Sequence, residues 1–96
     1  MSWKLRKKAQ ALLALEQGGI VKDWGGKISV ALVYPNTYAV GMSNLGFQAV
    51  YAYLNRLPDV VCERVFFPDP EDLDEYLRTR TPPFSLESGR PLSDFH

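Results

Sequence analysis

The sequence predicts an α/β fold that opens βαβα and builds part of a doubly wound parallel sheet. Three observations lead there: two short runs rich in β-branched residues, an amphipathic segment between them, and an acid-rich helix start after the second. The first run, Ile28-Ser29-Val30-Ala31-Leu32-Val33-Tyr34, follows Gly25-Gly26 and is closed by Pro35-Asn36. Its nearly continuous apolar character is that of a strand buried on both faces. Val30 and Leu32 then face one layer, Ala31 and Val33 the other.

Residues 35–42 read as a loop. Ser43 or Asn44 caps the helix that follows, because either side chain accepts a bond from a free N–H of the first turn. Phe47, Val50, Tyr51, Leu54 and Leu57 recur at the spacing of one buried helical stripe, and Pro58 ends it. Residues 60–67 form the second strand, where Glu63 and Arg64 predict a less buried place near a sheet edge. Asp69-Pro70-Glu71-Asp72 starts the last helix with an aspartate cap, a proline at the first helical position and acids facing the dipole. Leu73, Tyr76 and Leu77 form its apolar face, and it ends near Arg80.

A strand, helix, strand, helix order at these lengths implies right-handed crossovers. In the flavodoxin-like order the first strand lies between the second and the third, and these 96 residues hold no third apolar strand. The chain therefore reads as the first half of a Rossmann- or flavodoxin-like domain over residues 20–96, with a helical extension over residues 1–19. An open strand edge predicts self-association of the isolated chain. Residues 84–95, broken by Ser88-Gly89 and Pro91, cover that edge only in part.

The extension carries Trp3, Leu5, Leu12, Leu13 and Leu15 among Lys4, Arg6, Lys7 and Lys8, the pattern of an amphipathic helix stopped by Gly18 and Gly19. It suits a docking helix, and a membrane-surface role is the alternative. Eleven basic residues balance eleven acidic ones, which lacks the basic excess of a nucleic-acid binder. No apolar run reaches the roughly 18–20 residues that span a bilayer, and no cleavage site follows the short apolar start. A cytoplasmic address is expected. A single cysteine, Cys62, excludes an internal disulfide or a multi-cysteine cluster site within this chain.

Candidate ligand contacts sit where the first strand gives way to a helix, the place where open α/β sheets bind ligands. They are Asn36, Tyr38, Gly41, Ser43, Asn44 and Gly46. The glycine spacing matches neither the dinucleotide fingerprint nor the P-loop, so turn geometry and close helix packing are the alternative reading. Cys62 reads as a buried structural thiol. His96, at the end of the sequence, is poorly placed for catalysis. Capping and solvation account for Asp69, Glu71, Asp72, Asp74 and Glu75. No catalytic residue and no metal ligand is expected.

Three strings carry a resemblance: Val21-Lys22-Asp23-Trp24-Gly25-Gly26, Ala31-Leu32-Val33-Tyr34-Pro35-Asn36-Thr37-Tyr38, and Val40-Gly41-Met42-Ser43-Asn44-Leu45-Gly46-Phe47-Gln48. With Cys62-Glu63-Arg64-Val65-Phe66 and Phe84-Ser85-Leu86-Glu87-Ser88-Gly89-Arg90-Pro91-Leu92, the sequence resembles the opening of an uncharacterised radical SAM protein family. That family carries an N-terminal cobalamin-binding-like domain. The resemblance implies a Rossmann-like domain ahead of a radical SAM barrel, with a [4Fe-4S] cluster, S-adenosylmethionine and, as a further candidate, cobalamin in the parent protein. None of these is expected to be bound by this fragment. The Cys-x3-Cys-x2-Cys loop and the cobalt-ligating Asp-x-His-x-x-Gly motif are both absent; the corresponding loop reads Asn36-Thr37-Tyr38-Ala39-Val40-Gly41. The partner implied is the rest of the parent chain. The alternative is a non-catalytic docking domain that keeps the fold without the cofactor.

Overall fold

The computed structural model describes residues 2–16 and 20–96. Two strands, β1 (Ile28–Tyr34) and β2 (Val60–Phe66), pair in parallel from Ile28 opposite Val60 to Tyr34 opposite Phe66. Between them lie a short helix, α2 (Tyr38–Met42), and the crossover helix α3 (Leu45–Arg56). A 3-10 turn over Pro70–Asp72 leads into α4 (Leu73–Thr79), and another spans Leu92–Asp94. The mixed α/β fold with a parallel sheet is as expected; α2 lies in what reads as a loop.

Asn44, rather than Ser43, caps α3: its side chain accepts the Phe47 N–H at 2.8 Å, satisfying a first-turn donor that has no helical partner. Ser43 donates its hydroxyl to Val40 O at 2.7 Å. The buried stripe of α3 is Phe47, Tyr51 and Asn55, while Val50 and Leu57 are exposed, contrary to the expected stripe. The reason is the position of α3, which packs on β2 and leaves Val50 and Leu57 open. Asn55 reaches the main chain of β2, accepting the Cys62 N–H at 2.9 Å and donating to Cys62 O at 3.0 Å.

Burial of the two strands is the reverse of the expectation. In β1, Ile28 is 53% and Val33 44% exposed, because no neighbouring strand covers that side among the described residues. In β2, Glu63 and Arg64 are only 1% and 2% exposed. Charges that read as marks of an open position are buried with partners, as buried ions must be.

The last helix also departs from its expected form. Asp69 makes no capping bond; its carboxylate accepts the Lys8 ammonium at 2.9 Å instead. Leu73 and Leu77 are exposed, and contact runs through Tyr76, stacked on Phe84 at 6.1 Å. Arg80, in the left-handed region at φ 52°, ends α4.

The N-terminal helix α1 (Trp3–Leu15) starts at Ser2, whose hydroxyl oxygen accepts the Leu5 N–H at 3.3 Å. Only Leu5 is buried along it, so polar contacts do much of the docking. Ser2 donates to Glu75 at 2.6 Å, Arg6 to Gly89 O at 3.0 Å and Lys8 to Asp72 at 2.5 Å. The expected stop at Gly18 and Gly19 lies outside the described residues.

Truncating Asn55 to alanine leaves a buried N–H and C=O of Cys62 without partners, which costs about 1–3 kcal/mol per group. Urea denaturation of N55A is expected to show a lower midpoint with an unchanged slope.

Candidate functional site

The carboxyl end of β1 is closed by aromatic packing. Tyr34 meets Phe47 edge-on at 5.2 Å, Tyr38 meets Phe66 at 5.3 Å, and Phe47 and Phe66 lie 5.4 Å apart. Gly41 is buried beneath this cluster, and a Cβ there would come within 2.5 Å of the Phe66 ring. The absent side chain is what lets α2 approach β2 so closely.

The remaining loop residues also have internal partners. Asn36 Oδ1 accepts the Thr37 N–H at 2.8 Å, and Asn36 O accepts the Phe67 N–H at 2.8 Å. The Tyr38 hydroxyl donates to Glu16 Oε2 at 2.5 Å. Asn36, Ser43, Asn44 and Gly46 are exposed at the surface of this end of the sheet, with Tyr38 half-buried behind them. Gly46 has only Asn44 Oδ1, at 3.2 Å, near its would-be Cβ. The expected close helix packing therefore belongs to Gly41 and not to Gly46.

Beside the loop a cleft of about 70 Å³ opens at the carboxyl end of β2. Its walls are Phe66, Phe67, Tyr76 and Phe84, and α1 lies across it through Leu5 and Leu12. Lys8 spans the rim to Asp69 and Asp72 at 2.9 and 2.5 Å, and these hydrogen bonds hold its ammonium charged far above the usual lysine range.

Beneath the cleft lies a charged group that no spacing rule picks out. Arg64 Nε donates to Glu87 Oε2 at 2.7 Å and its Nη2 to Glu16 Oε1 at 2.8 Å. Its guanidinium also stacks 4.3 Å from the centre of the Tyr51 ring. Glu87 further accepts the Tyr51 hydroxyl at 2.6 Å and the Arg64 main-chain N–H at 2.9 Å. Burial works against the Arg64 charge, but Glu87 and Glu16 outweigh it and hold the guanidinium protonated. Burial pushes the Glu87 carboxyl up, opposed by Arg64 and the Tyr51 hydroxyl. Three donors, the Tyr51 hydroxyl and the Arg64 main-chain and side-chain N–H groups, stabilise the carboxylate form against that burial.

Glu63, on the opposite face of β2, is held the same way. It accepts Trp24 Nε1–H at 2.8 Å, the Ser85 hydroxyl at 2.6 Å and the Ser88 hydroxyl at 2.5 Å. Glu63 and Arg64 were legible as charges within an apolar strand; their partners, 22 and 23 residues downstream for Ser85 and Glu87, were not.

Cys62 is fully buried and free. Burial, with the nearby Glu87 charge, pushes its thiol up to about 11, so it is a packing group rather than a nucleophile. Among the described residues no three His, Cys, Asp or Glu side chains are grouped to hold a metal, and no helix is long and apolar enough to cross a membrane. His96 lies against β1, where its ring Nδ1 faces Ser29 Oγ at 2.8 Å.

Two outcomes follow from this geometry. Gly41→Ala is expected to cost about 1–3 kcal/mol by overpacking against Phe66, with Gly46→Ala the milder change in the same denaturation series. The folded thiol pKa is raised from 9.0 to about 11 and that of Tyr38 from 10.0 to about 12. A raised pKa contributes stability that is complete below the unfolded value and is lost as pH rises through the folded one. Denaturation midpoints should therefore fall in alkali, from about 9 upward, as these two groups and the Tyr51 and Tyr76 hydroxyls, which burial also pushes up, ionise.

Compared with known proteins, residues 46–96 match the sequence model of the family described as radical SAM proteins, N-terminal. The matched part holds α3 from its second residue, β2, α4 and both buried glutamates, Glu63 and Glu87. No curated protein and no solved structure matches the chain.

Proposed function

The chain belongs to the radical SAM N-terminal family, and from that membership we propose that it is the accessory N-terminal part of a radical SAM protein, forming a wall against the catalytic barrel. The family match over residues 46–96 is the observation that carries this reading. In such a parent the [4Fe-4S] cluster and S-adenosylmethionine together supply a radical. The residues of this chain do not fit the cluster, which takes several cysteine thiolates; Cys62 is the one cysteine, and it is buried with a raised pKa. The cluster site therefore falls to the barrel.

The finer reading, a cobalamin-binding-like domain, is supported by the βαβ order and by the loop at the carboxyl end of β1, where such folds take ligands. The fit to a corrinoid is incomplete. No histidine occurs in the loop from Asn36 to Gly41, and the room a glycine leaves at position 41 is filled by Phe66. Asn36, Tyr38, Gly41, Ser43, Asn44 and Gly46 remain our candidate contacts, with exposed Asn36, Ser43, Asn44 and Gly46 meeting the barrel or its ligand and Tyr38 and Gly41 shaping the loop from behind. The aromatic packing of this loop favours the docking reading, in which the fold persists without the cofactor.

The visible spectrum of the full-length protein tests the assignment. Iron–sulfur absorption that bleaches on reduction is expected; a full-length protein without it, and without a three-cysteine loop in its reading frame, would end the radical SAM reading. For the 96-residue chain, titration with cobalamin and with S-adenosylmethionine should show no micromolar binding, because a doubly wound sheet builds its crevice from loops on both sides of the switch point. Saturable micromolar binding of either would refute the docking reading.

A further inference from the structure

The chain treats the two edges of its sheet differently. Along β2 every outward-facing main-chain group from Val60 O to Arg64 O is taken. Lys22 Nζ donates to Val60 O at 2.6 Å, and the Asn55 amide satisfies both groups of Cys62. Glu87 accepts the Arg64 N–H at 2.9 Å, and the Leu86 N–H donates to Arg64 O at 2.7 Å. Side chains and a loop thus do what a neighbouring strand would do, and sealing of this kind is how a sheet edge is protected from pairing.

Along β1 the outward groups belong to Ser29, Ala31 and Val33, because the Ile28 N–H points the other way, to Asp59 O at 2.8 Å, and direction alternates along a strand. Ser29 is met twice by His96: its N–H donates to His96 Nδ1 at 3.0 Å, and the His96 N–H donates to Ser29 O at 3.2 Å. Ala31 and Val33 have no main-chain partner on this side among the described residues. Exposed Ile28 and Val33 lie on the same strand, and exposed Val50 lies on α3 with exposed Leu57 just past its end.

We propose that the open edge of β1 takes one further parallel strand, supplied by the rest of the radical SAM polypeptide and entering beside Ser29. The inference rests on the assignment to a radical SAM parent and adds the place and form of contact. Two observations choose this occupant over a second copy of the chain. His96 already brings the main chain to the amino end of β1, which is where a parallel neighbour begins. A two-fold copy could pair only antiparallel, and with Ser29 already held by His96 it would find only the Ala31 and Val33 groups of each protomer to share. With β2 sealed, the sheet grows through β1 alone, and β1 becomes the inner strand its composition describes.

Amide hydrogen exchange on the full-length protein tests this. The Val30 and Leu32 amides, which face β2, are the internal reference for a paired position. The Ala31 and Val33 amides are expected to exchange as slowly as these in the full-length protein and roughly 100-fold or more faster than these in the dilute 96-residue chain. Fast exchange at Ala31 and Val33 in the full-length protein overturns the proposal. So does protection that appears there only as concentration is raised, which would mark a second copy, or protection already complete in the dilute short chain. The visible spectrum separates the two readings: iron–sulfur absorption with unprotected Ala31 and Val33 defeats this inference alone, whereas a missing cluster defeats the parent assignment.

Discussion

Arg64 and Glu87 hold together parts of the chain that have little else in common. Arg64 sits on β2, Glu87 in the closing segment, Tyr51 on α3 and Glu16 at the end of α1, and all four meet within one hydrogen-bonded group. Taking two ions out of water costs several kcal/mol for each, so a buried pair is stable only where geometry and further hydrogen bonds offset that cost. Here the offset is visible, because Glu87 has three donors and Arg64 two carboxylates and an aromatic face. The same carboxylate accepts the Arg64 main-chain N–H, so pairing the charges also fixes residues 86–87 against the edge of β2. Breaking it would leave an ion buried and free the closing segment together.

Glu63 repeats this arrangement on the other face. Trp24, Ser85 and Ser88 converge on it, and Arg90 lies 3.8 Å from the centre of the Trp24 ring while Phe95 meets that ring edge-on at 4.8 Å. The middle of β2 is thus polar on both faces, and much of the interior around it is given to partners of the two charges. Large apolar side chains end up where those partners are absent, at Ile28, Val33, Val50 and Leu57.

Periodicity and punctuation made the elements legible. The β-branched runs, the cap at Asn44 and the proline stops placed both strands and α3 within a residue or two, because those signals act through local geometry. Burial was not legible, since it depends on partners far along the chain. Glu63 and Arg64 suggest solvent until Glu87, Ser85 and Trp24 are known to reach them. Val50 and Leu57 suggest a core until α3 is seen packed against β2. Asp69 suggests a cap until Lys8 arrives from a helix 61 residues away. Each reversal involves a side chain whose role is set by a contact distant in sequence, which no spacing within one element encodes.

The loop at the end of β1 shows the same ambiguity at a single atom. A glycine between a strand and a helix is needed wherever something must approach the main chain more closely than a Cβ allows, and a phosphate and an aromatic ring impose that demand alike. At Gly41 the approaching group is Phe66, with Tyr34 behind it at 3.3 Å. Phe66 is the last residue of β2, and Gly41 belongs to the crossover that leads to it. The close approach therefore joins the two ends of one βαβ unit. A ligand in that position would have to displace a ring held by Tyr38 and Phe47 as well. Exposed Asn36, Ser43 and Gly46 lie outside this packing, while Asn44, at the surface beside them, caps α3 and donates to the Tyr34 hydroxyl at 3.4 Å. The loop can then serve as a docking surface while its glycine serves the fold.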